Sequence, residues 1–437
     1  MSKLEFKELV PELRFSQFIG GTEWQKKPFN KLYSLKVTNS LSRDKLNYDD
    51  GIVKNIHYGD IHTKFSTLFD ITKENVPFIN TEISLDKVKE ESYCLERDMV
   101  FADASEDIDD VGKSIELINL NGEKLLSGLH AILARPKKND LVKGFGGYLF
   151  KSEVMRKQIQ KESQGAKVLG ISGSRISNVE VIYPIDHDEQ QKIADCLSSM
   201  DDLIIINTKK LESLKLHKKG LMQKLFPTEG KSVPEYRING SRENWIEKEL
   251  KDITSSVFDG THQTPKYTED GVPFFSVENI VSNKDNKFIS IDDYNLATVK
   301  NKPELDDILI TRIGKIGFTK VVDWSYDFSI YVTLAVIKND KRFNSKYLHS
   351  YMQSERFQNE LQRRSLLNAV PCKINMDELR KSKVMLPLDM DEQNRIADCL
   401  FSLEEIIESQ SNKIEILKKY KKGLMQKLFP ENKESIA

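Results

Sequence analysis

The side chains able to do chemistry are scattered along this chain rather than clustered. Seven histidines show no metal-ligand spacing, and the four cysteines (Cys94, Cys196, Cys372 and Cys399) form no Cys-x-x-Cys pair. Buried or half-buried free thiols in a reducing cytosol are expected. No Gly-x-x-x-x-Gly-Lys-Ser/Thr loop is present for ATP, because Gly112-Lys113-Ser114 and Gly230-Lys231-Ser232 lack the upstream glycine. Neither Pro-Pro nor Pro-Asp occurs anywhere. This excludes the Asx-Pro-Pro-aromatic motif of adenine methyltransferases and the usual Pro-Asp start of a nuclease site. What remains is cations and hydroxyls in polar loops flanked by Gly or Ser, the types that contact nucleic acid. His62, His262, Arg175, Arg312 and Lys315 are the expected DNA contacts, with Ser174, Thr261 and Lys266 beside them. Lys64, Lys167 and Lys373 are expected to meet phosphate.

The elements that must position these residues are announced by a repeat. Asp188–Pro227 and Asp391–Pro430 align without a gap at an offset of 203, with 24 of 40 positions identical. That separation is far outside the 20–50-residue period of a solenoid. It implies two large units, each closed by the same helix. Upstream, Ile171, Ile176, Val181 and Pro184 fall on Ile374, Leu379, Val384 and Pro387 at the same offset. Near the start of each half, Val10-Pro11-Glu12-Leu13-Arg14-Phe15 then Trp24 resembles Val233-Pro234-Glu235-Tyr236-Arg237-Ile238 then Trp245. Between these shared ends the halves diverge, and Gly59–Lys64 has no clear partner in the second. The expected division is 1–187, 188–227, 228–390, 391–430 and a tail, 431–437.

Within each repeated helix, apolar residues recur by alternating steps of four and three. Ile193, Leu197, Met200, Ile204, Leu211 and Leu214 form one seam; Ile396, Leu400, Leu403, Ile407, Ile414 and Leu417 form the other. A period of 3.5 is the mark of a coiled coil. Asn207 and Gln410, then Lys218 and Lys421, interrupt both seams at matching places; they either set register or lie at wet edges. Each helix is acidic first and basic last. Asp188–Asp202 carries five acids and one Lys, whereas Lys209–Lys224 carries six Lys and one Glu. An antiparallel pair sets acid against base, so an intramolecular antiparallel coiled coil is expected. Asp188 and Asp391 are the expected N-caps. Gly220 and Gly423 imply a bend or a close approach, since glycine costs ~1 kcal/mol against alanine in a helix.

Short β-rich runs mark the rest: Val76–Ile79, Met99–Ala102, Ile115–Leu120 and Leu129–Ala134, then Val272–Val277, Ile308–Thr311, Gly317–Val322 and Tyr331–Ile337. Helices are expected at Glu153–Gln160 and Lys346–Leu361. The class is therefore α+β with a pseudo-twofold internal repeat. The net charge of −1 argues against a wholly basic protein. Locally, Arg135–Arg175 has ten cations against three acids, and Lys338–Met376 has eight against three. Two basic segments in matching positions suit two phosphate-contacting surfaces, unless acids nearby in space balance them. No apolar run approaches the ~20 residues of a membrane span, and Met1–Val10 has no secretory core, so a cytoplasmic protein is expected.

These motifs together resemble the specificity (S) subunit of type I restriction-modification systems. The likeness rests on two variable regions alternating with two helices that begin Asp-Glu-Gln-x-x-Ile-Ala and end Lys-x-Leu-Phe-Pro. Tyr58–Lys64, Gly170–Arg175, Asp259–Pro265 and Asp307–Gly314 followed by Lys315-Ile316-Gly317 add to it. The resemblance implies two target recognition domains, each reading half of a split, asymmetric DNA site. It implies helices that fix the unread spacer and dock two methyltransferase subunits, which bring S-adenosylmethionine. Restriction-translocase subunits would bring ATP and Mg, and this chain would hold no cofactor. Gly173-Ser174-Arg175 becomes Met376-Asp377-Glu378 in the second half, a departure at the expected contacts. A coiled-coil scaffold with two protein-binding domains and a bipartite operator-binding regulator are the competing readings.

Overall fold

The two heptad seams form helices His187–Leu225 and Met390–Lys427 in a computed structural model that describes residues 9–165, 168–238, 243–282 and 287–430. The caps fall earlier than expected. Asp186 Oδ1 accepts from the amides of Asp188 (2.8 Å) and Glu189 (3.4 Å), and Asp389 Oδ1 accepts from Asp391 (2.9 Å). A capping carboxylate must stand just outside the helix to reach the free N–H groups of its first turn; Asp188 and Asp391 lie within that turn. Ile193, Leu197, Met200, Ile396, Leu400 and Ile414 are buried, and the other seam residues are half-buried. Asn207 and Gln410 are only 7% and 6% exposed, so they sit inside the seam and not at a wet edge.

Compactness divides the chain into two units, one discontinuous, Met1–Asn207 with Lys413–Ala437, and one continuous, Thr208–Asn412. This division cuts both long helices, which the consecutive segments expected from the sequence kept whole. Within the first unit, Lys421 pairs with Asp201 while Leu428 and Phe429 join the core around Ile193, Ala194 and Leu197. High numbers on one helix meet low numbers on the other, so the packing is antiparallel. The second unit repeats it with Lys218 on Glu404 (2.6 Å) and with Leu225 and Phe226 beside Ile396, Ala397 and Leu400. Burial alone would raise the Glu404 carboxyl, but His349 and Lys218 overcome it and hold the group down at about 2.

Each unit contains two sheets of four or five strands, and one sheet of each has a strand order shared with the other unit. In the first, β1 (Gln25–Pro28), β2 (Tyr33–Lys36), β3 (Leu68–Asp70), β4 (Met99–Ala102), β5 (Ser114–Asn119), β6 (Ala131–Pro136) and β7 (Glu180–Tyr183) give a sheet of order β2-β6-β4-β5-β3 and a separate β1-β7 pair. In the second, β8 (Ile246–Glu249), β9 (Val257–Asp259), β10 (Ile308–Thr311), β11 (Thr319–Val321), β12 (Leu334–Ile337) and β13 (Lys383–Leu386) give β9-β12-β10-β11 and a β8-β13 pair. The order is shared; only the parallel edge strand β3 is extra. Alternation explains why these strands read as unbroken apolar runs. Met99 and Phe101 enter one core with Phe29, Phe145 and Phe150, whereas Val100 and Ala102 enter another with Ile56, Ile61 and Phe69. Both faces are covered, which removes the polar alternation of a half-exposed strand.

Two expectations need correction. The helix expected over Lys346–Leu361 is two, Ser345–Met352 and Glu355–Arg364, because Ser354 Oγ accepts from the Phe357 amide (3.4 Å) and starts the second. The segment Gly59–Lys64 does have a partner. Helix Tyr58–Thr63 follows Val53–Ile56 as helix Val277–Ser282 follows Val272–Phe275. The strands before them are bonded alike, Gly128 N to Ile56 O (2.9 Å) and Tyr331 N to Phe275 O (2.8 Å).

The repeated sequence motifs close each unit. Glu189, with its side chain 1% exposed, accepts from Arg14 Nε and Nη2 (2.7 Å each) and from Trp24 Nε1 (3.4 Å). Glu392 accepts in the same way from Arg237 Nε (2.8 Å), Arg237 Nη2 and Trp245 Nε1 (3.3 Å). The next residue bridges too: Gln190 Nε2 donates to Pro184 O (2.8 Å) and its Oε1 accepts from Val142 N (2.7 Å). Gln393 repeats this with Pro387 O (3.0 Å) and Asn344 N (2.9 Å). Onto each tryptophan packs the phenylalanine ending the other long helix, Phe429 at 6.0 Å from Trp24 and Phe226 at 6.5 Å from Trp245. Removing one partner of a buried ion pair strands the other, at roughly 3–5 kcal/mol. Glu189→Ala and Glu392→Ala are therefore each expected to lower unfolding free energy by about 3 kcal/mol in urea titrations; a loss under ~1 kcal/mol would show the clamp to be dispensable.

Candidate nucleic-acid interface

In the first unit the loops gather where β4 ends. Asp103 N donates to His130 O (3.0 Å), and Asp103 O accepts from Ile171 N (2.8 Å). Leu169–Gly170 then pairs with Ala104–Ser105. The loop carrying His130 is turned by a left-handed residue, His130 itself at φ 57, and is pressed against Ile56, where a side chain on Gly128 would fall 2.8 Å from the Ile56 carbonyl. Tyr58 is ringed by histidines, with His57 at 4.6 Å, His130 at 5.2 Å and His62 at 6.1 Å between centroids. His57 Nδ1 faces two donors, Gly59 N (3.1 Å) and Arg43 Nη2 (3.1 Å). Burial first and the Arg43 charge second lower the His57 pKa, consistent with a neutral ring.

The expected contacts of this unit are differently engaged. His62 turns inward, with Nε2 3.2 Å from Ala104 O and Nδ1 buried without a partner among the described residues. Lys64 is exposed but tied to Asp60 (3.0 Å) and the Tyr48 hydroxyl (3.1 Å), and Arg43 clasps the same Asp60 (2.7 and 2.9 Å). Arg175, half-buried, donates to Glu162 O (2.9 Å), the carbonyl ending helix Glu153–Glu162. Ser174 is exposed beside Ser172 (2.9 Å). Lys167 lies outside the described residues.

The second unit builds the same junction from other chemistry. Arg312 follows β10 as Asp103 follows β4, and its amide donates to Thr333 O (2.9 Å) while its carbonyl accepts from Ile374 N (2.9 Å). Its guanidinium is committed inside the protein, to Asp259 (2.8 Å), Val332 O (3.0 Å) and Ile374 O (3.3 Å), and it is 7% exposed. Burial lowers its pKa against the opposing pull of Asp259. Arg312, expected as a DNA contact, is thus a tie between loops. Around it stand the other candidates. His262 Nε2 lies 3.0 Å from Asp259 Oδ2, and Thr261 bridges Tyr331. Gly260 is required there, since a Cβ would meet Ile330 O at 2.0 Å. Lys315 and Lys373 are exposed on two loops joined by Ile313–Lys373 pairing and by Gly314 N to Cys372 O (2.8 Å). Lys266 is exposed nearby in sequence. Missed in the sequence were Arg43, Tyr48, His57 and His130; the one signal for them was His57 immediately preceding the noted segment Tyr58–Lys64.

A second duplicated feature lies at the end of each long helix. Met222, Gln223, Phe226 and Pro227 line a groove of about 660 Å³ with Glu355, Arg356 and Asn359. Met425, Gln426, Phe429 and Pro430 line one of about 110 Å³ with Glu153, Val154 and Lys157. The helix residues correspond at the offset of 203.

The family model described as the type I restriction modification DNA specificity domain matches residues 54–216 and 242–419. The putative type I restriction enzyme MjaX specificity subunit of Methanocaldococcus jannaschii is 25% identical over 414 residues, 90% of this chain and 89% of its own. The MjaVIII specificity subunit of the same organism is 27% identical over 300 residues, covering 64% and 69% of the two chains. A crystal structure of the S subunit from M. genitalium superposes with a TM-score of 0.63 at 15% identity, over 97% of this chain and all of that one. No helix among the described residues is long and apolar enough to cross a membrane. With matched domains spanning most of its length, the chain belongs to the type I restriction-modification DNA specificity family, as a specificity subunit carrying two copies of the domain.

Proposed function

We propose that this chain is the non-catalytic subunit that reads a bipartite, asymmetric DNA site, one half with each loop junction, and that docks two methyltransferase subunits. The observation that carries the reading is the junction itself. One backbone framework, built around Asp103 and again around Arg312, presents unlike side chains in the two units. A duplicated framework with different chemistry suits two different half-sites. Exposed Lys315 and Lys373 supply sequence-independent attraction to the backbone. The antiparallel helices serve as the spacer. S-adenosylmethionine is assigned to the methyltransferase subunits, and ATP with Mg to restriction-translocase subunits that join through them; a cytoplasmic location goes with that assembly.

Docking is supported by the identical helix ends. Lys218–Pro227 and Lys421–Pro430 match at every position. A Cβ on Gly220 or Gly423 would meet nothing within 4 Å, so packing inside the chain does not demand glycine there. Close approach by another chain offsets its helix cost. Gly423→Ala is expected to stabilise the free chain by up to ~1 kcal/mol. Gly423→Trp should instead drop the assembly from two methyltransferase copies to one in sedimentation analysis; an unchanged two-to-one complex would remove this face from the docking surface.

The deciding experiment selects duplexes from a random pool with the full chain and its cognate methyltransferase subunits. A split motif is expected, and exchanging residues 1–180 for those of a relative should alter one half only; alteration of both halves would end the modular reading. Lys315→Ala and Lys373→Ala should weaken all sequences alike and each reduce the salt slope by about one. Arg312→Ala should behave otherwise, lowering thermal stability and degrading one half-site together, because it releases the Asp259 loop. A pure salt-slope effect for Arg312→Ala would show that its guanidinium meets phosphate after all.

A further inference from the structure

We infer that the base-reading group of each unit is a histidine oriented by a carboxylate: His130 on Asp103 in the first, His262 on Asp259 in the second. The inference rests on the DNA-reading role proposed above and names the atoms that would perform it. His130 Nδ1 lies 3.2 Å from Asp103 Oδ1, with side chains 48% and 31% exposed. His262 Nε2 lies 3.0 Å from Asp259 Oδ2, with side chains 74% and 20% exposed. In both pairs the carboxylate is the more buried partner and the ring faces outward. The far nitrogens, His130 Nε2 and His262 Nδ1, have no partner among the described residues.

The junction explains how two unlike loops deliver the same group. The residue after β4 or β10 holds the same two backbone neighbours in each unit. As Asp103, it pairs directly with the histidine of the loop before β6. As Arg312, it cannot do so, because Thr333 occupies the His130 place. It captures Asp259 instead (2.8 Å), and the same Asp259 oxygen takes His262 from the loop after β9. Exchange of an acid for a base at one position thus moves the histidine from one loop to its neighbour. His130 also holds a left-handed backbone (φ 57), uncommon outside glycine, and leans on the Tyr58 ring at 5.2 Å. Asp103, Asp259 and Arg312 are positioning residues.

In the neutral imidazole a carboxylate on one ring nitrogen keeps the proton there, and the other then presents a lone pair. Pointed into the major groove, that lone pair accepts from the exocyclic amine of adenine or cytosine and discriminates against thymine and guanine, whose facing groups are acceptors. A phosphate, being acceptor-only, would be repelled by it. Lysines meet the backbone; the histidines read.

The test compares full-length chains, each assembled with its cognate methyltransferase subunits, by sequencing the duplexes they select from a random pool. His130→Ala should lose preference at one adenine or cytosine position of one half-site by roughly 5- to 150-fold, with the other half unchanged. His262→Ala should do the same in the other half. His130→Gln, which retains an acceptor, should recover part of the preference, and Asp103→Ala should relax that same position and no other. Thermal unfolding of each variant separates these effects from loss of fold. Unchanged preferences in both histidine variants, or a uniform loss over all sequences, would overturn the inference while leaving two-domain reading intact. Failure of the unsubstituted assembly to select any split site would overturn that reading, and the inference with it.

Discussion

The structure depends on a buried carboxylate in the first turn of each long helix. Glu189 and Glu392 are almost without solvent access, and each takes two bonds from an arginine and one from an indole N–H. A carboxylate removed from water must be fully compensated, and the positive end of the helix dipole adds to the compensation. The arginine and tryptophan come from the leader of the same half, so the clamp joins that leader to the helix start. The tryptophan then receives the phenylalanine ending the other helix. Three pieces of chain far apart in sequence become one core. That is why the first compact unit draws on both ends of the chain, and why the motifs Val-Pro-Glu-x-Arg, Asp-Glu-Gln and Leu-Phe-Pro all occur twice.

The seam between the helices is set by a different balance. Apolar residues supply burial along its length, but Asn207 and Gln410 are buried within it. A buried polar side chain tolerates only alignments that satisfy it. The lysine interruptions work alike in both units: Lys421 meets Asp201, and Lys218 meets Glu404. Sliding by one turn would separate each cation from its acid and bury a charge unpaired, so polar positions specify what apolar positions stabilise.

On this frame, divergence costs little. The sheets share their strand order, with both faces covered, and the loops leaving β4 and β10 share backbone bonds. Backbone bonds are indifferent to side-chain identity, so an aspartate can become an arginine there without loss of the framework. The constraint is local pairing: Asp103 faces His130 and Arg312 faces Asp259. Loops on a fixed scaffold can in this way acquire new surfaces without refolding what lies beneath.

The sequence by itself determined the duplication, the helices and the β runs. Strands Met99–Ala102 and Ile308–Thr311 stand where their apolar runs indicated, and every seam residue is at least half-buried. These features follow from periodicity, which is local and survives without knowledge of neighbours. Charge along the helices indicated antiparallel pairing, and Lys421–Asp201 and Lys218–Glu404 run that way. The helix caps stand two residues before Asp188 and Asp391, because the capping Asp186 and Asp389 look no different in type from the acids that follow them. Site residues were less legible still. Arg312 and Arg175 sit in Gly- and Ser-flanked loops that resemble a reading surface, yet the fold commits both guanidiniums to backbone carbonyls. His130 lay inside the expected strand Leu129–Ala134, but the strand begins only at Ala131 and His130 stands exposed beside Asp103. Whether a cation in a loop is free or committed depends on which carboxylates and carbonyls arrive from distant segments. Only the tertiary structure decides that, because such partners, here 27 residues away for His130 and 53 for Arg312, leave no periodic trace in the chain.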